Sequence, residues 1–66
     1  MRRIERARRE RGLSRCRLAM MARVTEGALR KWETNGIARA QCAAVMRVAR
    51  ELGLPIEDLM DREDME

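Results

Sequence analysis

The sequence predicts an all-α fold of five helices in one domain. Three observations predict it. Apolar residues recur at spacings of three and four in successive short windows. Residues that start helices (Ser14, Thr25, Pro55) and residues that stop them (Gly12, Asn35-Gly36, Gly53) bracket those windows. With 66 residues the chain is one domain at most, and a domain this small buries only about 60% of its unfolded surface. Its apolar residues are mostly small or flexible, with six Met, one Trp and no Phe or Tyr. The core is therefore thin, and a partner or second subunit would add stability.

Helix one spans residues 2–11. Ile4 and Ala7 share a face that packs with Leu13, and Gly12 ends the helix. Glu5 and Arg9 form an i,i+4 pair of opposite sign and Arg2 and Arg6 one of like sign, each worth only about 0.2–0.5 kcal/mol. Helix two, about residues 15–22, starts at Ser14 and turns Leu18, Ala19 and Ala22 inward. Arg17 stands where a capping box has Glu or Gln, so the reciprocal half of the cap is missing and a cation meets the positive end of the helix dipole. Residues 22–25 allow only a tight turn. Helix three, about residues 26–34, is capped by Thr25 and sends Leu29 and Trp32 to the core. Helix four, about residues 41–52, shows an apolar stripe of Cys42, Val45, Met46, Ala49 and Leu52. Leu54-Pro55 opens a last short helix to about residue 60, in which Ile56 and Leu59 close the core and Glu57 and Asp58 suit the positive helix end. The domain is thus residues 1–60, and residues 61–66, DREDME, are expected to be a frayed acidic tail.

Charge is distributed unevenly. Residues 1–33 hold eleven cations against four anions, a net +7, and residues 34–66 hold four against seven, a net −3. A basic half suits a phosphate-bearing partner. Cys16 and Cys42 form no Cys-x-x-Cys and there is no His, so no metal ligand set is expected. The absence of His, of a Gly-rich phosphate loop and of a carboxylate pair in a cleft speaks against an enzyme, and no cofactor or small-molecule ligand is evident. No apolar run is long enough to cross a membrane and no signal peptide is present, so a soluble cytoplasmic protein is expected. The apolar face of helix one, Ile4 and Ala7, is too small for an interfacial membrane anchor.

Residues 13–33 organise the rest. Two helices joined by so short a link cross steeply and hold the second away from the body, which is the geometry of a helix-turn-helix whose second helix enters a DNA major groove. Gly12-Leu13-Ser14, Leu18-Ala19, Val24-Thr25, Leu29, Trp32-Glu33, Ala49 and Leu52-Gly53 together resemble the small phage-repressor type of helix-turn-helix protein. This is the Cro/C1-type, or xenobiotic-response-element (XRE), family. The ordered set carries the resemblance, over roughly residues 3–59. It implies a lambda-repressor-like fold and a sequence-specific transcriptional regulator, a repressor acting as a homodimer on double-stranded DNA.

The resemblance also assigns positions. It implies an ion pair between Arg8 and Glu33 that offers the Arg8 guanidinium to a phosphate, a phosphate contact at Arg15, and base-edge positions at Glu26, Gly27 and Lys31. Lys31 can donate to guanine and Glu26 can accept from cytosine, whereas Gly27 reads nothing but permits close backbone approach. Arg17, Thr25, Arg30 and Arg39 join the phosphate contacts by their places at helix starts, on the outer face of helix three and in the following loop. Arg23 departs from the family, which often has Gly there; an arginine reaches the left-handed conformation only at about 1–2 kcal/mol. The loop after helix three is also one residue longer than the commonest family form. With Glu26 and Gly27 in reading positions, specificity would be modest or lean on DNA shape. The alternative is a protein-interaction module, an antitoxin or anti-regulator on the same fold.

Overall fold

A computed structural model describes residues 1–65; Glu66 lies outside the described residues. They form four α-helices, α1 (Arg3–Glu10), α2 (Arg15–Ala22), α3 (Glu26–Asn35) and α4 (Cys42–Leu52), followed by two 3-10 turns, Ile56–Leu59 and Arg62–Met65, with no strand among them. The protein is therefore all-α.

Local chemistry sets the helix starts. Ser14 Oγ accepts the Arg17 N–H at 3.0 Å, and Thr25 Oγ1 accepts the Ala28 N–H at 3.0 Å. Each cap satisfies one otherwise orphan amide and contributes about 1 kcal/mol. Between them Arg23 adopts the left-handed conformation, φ 59° and ψ 42°. The Arg23 and Val24 N–H groups donate back to Met20 and Ala19 carbonyls. From α4, Arg47 closes the remaining gap, its Nε donating to the Ala22 carbonyl at 2.9 Å and its Nη2 to the Arg23 carbonyl at 3.2 Å. These bonds offset the conformational cost of an arginine in this turn.

The core is built on Ile4, Leu18, Leu29, Val45, Val48, Leu52 and Leu59, all essentially inaccessible. α4 contributes Ala44, Val45, Val48, Ala49 and Leu52. The expected stripe is thus corrected: Cys42 and Met46 are exposed. Val45, Ala49 and Leu52 belong to both versions, and the helical period lets the stripe continue through residues 42 and 46 or through 44 and 48. Packing of α4 on α2 and on the Ile56–Leu59 turn selects the second. Ile37, in the loop after α3, is also buried.

Two further expectations are corrected at the chain's acidic end. The fifth helix is a 3-10 turn, closed by Asp58 N–H to the Pro55 carbonyl and Met60 N–H to the Glu57 carbonyl. Met60 is already extended, because Arg3 draws the chain away: its Nη1 donates to the Met60 carbonyl and its backbone N–H to Asp61 Oδ1 at 3.1 Å. Residues 61–65, expected to be part of a frayed tail, carry the Arg62–Met65 turn and hydrogen bonds to the body of the fold. Asp61 caps α1, whose own cap residue Arg2 offers no side-chain acceptor. Asp64 accepts from the Asp61 N–H at 2.9 Å and from the Ala38 N–H at 3.1 Å. Short acidic side chains capturing orphan amides hold the segment that composition alone made look disordered.

Candidate nucleic-acid interface

α3 divides sharply into two faces. Leu29, Trp32 and Glu33 are buried, while Thr25, Glu26, Gly27, Arg30, Lys31 and Thr34 are exposed. The helix is anchored through Glu33, whose carboxylate receives Arg8 Nε at 2.7 Å and Nη2 at 3.2 Å, and Arg15 Nε at 3.0 Å. Arg8 is 7% exposed and Glu33 7%. Arg8 Nη1 donates to the Leu13 carbonyl at 2.8 Å. The bond to Glu33 raises the Arg8 pKa above its ordinary value despite burial. One carboxylate thereby ties α1, α2 and α3 together.

The expected Arg8–Glu33 pair is present. Arg8 as a phosphate contact is corrected: all three of its nitrogens are engaged and the side chain is enclosed. Arg15 differs. Only its Nε is held, and the side chain is about a third exposed. Arg17 follows at the start of α2, exposed, with no side-chain bond among the described residues. Arg30 lies 3.5 Å from Glu26, an exposed i,i+4 pair of small energetic consequence. A Cβ built at Gly27 would meet nothing within 4 Å. Packing does not require glycine there.

Beside α3, a groove of about 850 Å³ runs between its C-terminal half, the residue 36–40 loop and the start of α4. Arg23, Lys31, Arg39 and Arg47 line it with Thr25 and the buried edge of Trp32. Lys31 and Arg39 are exposed and hold no ion pair among the described residues. Glu63 and Asp64 line the same groove. Sequence reasoning joined Arg8 to Glu33 but missed Arg15 as a second partner, Arg47 as the clasp of the turn, and the two carboxylates. The alternation of acids and an arginine in DREDME was the only sign of the last, and it carried no address.

Among the described residues no group of His, Cys, Asp or Glu is placed to hold a metal, and both cysteines are free and exposed. No helix among them is long and apolar enough to cross a membrane. No family model, curated protein or solved structure matches the chain.

Proposed function

We propose that the chain is a DNA-binding transcriptional regulator of the helix-turn-helix, Cro/C1-like type, a cytoplasmic repressor acting as a homodimer. In this reading α2, the Arg23 turn and α3 form the helix-turn-helix. α3 enters the major groove with Glu26, Gly27 and Lys31 toward base edges. Arg15, Arg17, Thr25, Arg30 and Arg39 meet phosphates. One observation carries it: an exposed polar face on a helix whose other face is locked into the core, flanked by Arg17, Lys31 and Arg39, cations with no partner among the described residues. A cation already paired within the fold has less charge to offer a polyanion, whereas an unpaired one neutralises phosphates and releases their counterions.

The test is duplex binding over a salt series, with random-sequence DNA and DNA from beside the gene. Steep salt dependence, with Arg17→Ala weakening all duplexes alike and Lys31→Ala eroding discrimination, supports the reading. No binding of either duplex at low salt overturns it in favour of the second reading, a protein-interaction module such as an antitoxin. Exposed Met20, at 74%, with Met21 and Met46 favours that second reading.

A further inference from the structure

We infer that residues 61–65 form an intramolecular gate on the basic groove beside α3. Docked, the segment places the Glu63 and Asp64 carboxylates on the groove that Lys31 and Arg39 line. A phosphate backbone approaching the groove meets those two negative charges. The inference rests on the DNA-binding reading and adds regulation to it.

The docked state engages groups that a polyanion would otherwise use. Arg2 Nη1 lies 3.3 Å from Glu63 Oε2 and 3.7 Å from Asp61 Oδ2, and Arg2 Nε donates to the Thr34 carbonyl on α3. Release of the segment removes the carboxylates and frees Arg2 on the same side of α3. Asp64 also fixes the loop that carries Arg39: its Oδ1 accepts the Ala38 N–H and lies over Gly36, where an added Cβ would come within 2.5 Å of it.

The dock is built to open. No residue of Arg62–Met65 is buried, so little apolar surface is lost on release. Its pair to Glu63 is solvated, the Glu63 side chain being 71% exposed, and such pairs are individually weak. Among the described residues Asp61 Oδ2 is buried without a hydrogen bond, with the Arg2 guanidinium 3.7 Å away. A buried acceptor left unsatisfied costs free energy that undocking recovers.

The experiment compares the full chain with two charge-matched variants on random-sequence duplex DNA across a salt series. Glu63→Gln/Asp64→Asn removes two charges at the groove and keeps an acceptor for the Ala38 N–H. Glu57→Gln/Asp58→Asn removes two charges from the Ile56–Leu59 turn, which does not line the groove. Thermal unfolding confirms that all three fold. The gate requires the groove variant to bind about tenfold more tightly, with a salt slope steeper by about one, and the turn variant to gain no more than about twofold. Equal gains by both variants reduce the effect to net charge and overturn the gate. No gain in the groove variant, while the unaltered chain binds, overturns the gate and leaves the DNA reading standing. No binding by any of the three overturns both. Hydrogen exchange gives a second readout: the Ala38 amide must lose protection when duplex is added to the unaltered chain, and retained protection overturns the gate.

Discussion

Two arginine–carboxylate clusters hold this small fold together, and they differ in everything except their chemistry. The first centres on Glu33, whose side chain is 3% exposed, with Arg8 bonded through two nitrogens and Arg15 through one. The second joins Arg2 to Asp61 and to Glu63, whose side chain is 71% exposed, at distances of 3.3–3.7 Å. In the first, water is excluded and every charged atom of Arg8 has a partner, so loss of one member strands the others in a low dielectric. In the second, water replaces whatever Glu63 loses, and only Asp61, its side chain 14% exposed, is shielded from it. The pairing of charges is therefore a poor guide to what a cluster does; the solvent it excludes decides. The buried cluster fixes the helices, and the exposed one is free to change state.

The comparison breaks most easily at Glu33. Glu33→Ala leaves Arg8 buried and uncompensated and should cost about 3–5 kcal/mol, which at this chain length is a fall of about 4–8 °C in Tm per kcal/mol. Arg8→Met/Glu33→Leu removes both charges together and should retain most of the stability. A single-variant loss under about 1 kcal/mol by thermal unfolding would erase the distinction between the clusters. The Arg8 pKa is raised in the fold, so its contribution is fully present below the unfolded-state value and lost only as pH rises past the folded one. Alkaline titration across the neutral range should therefore leave this cluster intact.

Lys31 sharpens the contrast, since it belongs to neither cluster. Lys31→Ala should leave the Tm unchanged while reducing discrimination between duplexes by about 1–3 kcal/mol, read from competition binding. A fall in Tm instead would give Lys31 a place in the fold. Arg23→Gly should raise stability by up to about 1 kcal/mol, because glycine takes the left-handed turn without the Cβ clash, less the extra freedom it gains when unfolded. Its expected size sets a backbone effect beside the two electrostatic ones. Smallest of all, Arg2→Ala should cost about 0–1 kcal/mol in the same unfolding assay, and a larger loss would place the exposed cluster alongside the buried one.

Much of this architecture was legible because its signals are local. Ser14, Thr25 and Gly53 act within one helical turn, and α2 begins and ends where its cap and spacing put it. What escaped was set at long range. The rotation of α4 could not be chosen while its own period allowed two faces. Asp61 reads as tail until Arg3, 58 residues earlier, offers it an orphan amide. Arg47 looks like one more surface cation, yet its bonds to the Ala22 and Arg23 carbonyls close the α2–α3 turn. In the candidate interface, the outward face of α3 followed from the burial of Leu29 and Trp32 and the Arg8–Glu33 pair from the family resemblance, but that Arg15 shares Glu33 and that Arg8 is enclosed did not. Arg8 and Arg15 are alike in sequence, and only packing shows that one is enclosed and the other half open.

Trp32 is the sole aromatic side chain in the chain, and it sits 6% exposed beneath the groove that Lys31, Arg39, Glu63 and Asp64 share. The protein's near-ultraviolet emission thus arises from one ring at one place, with no tyrosine or phenylalanine to blur it. Its wavelength follows the polarity of that groove floor, and its quenching by added iodide or acrylamide follows how far the groove stands open. The molecule carries a built-in optical gauge of its own candidate interface, readable without attaching a dye.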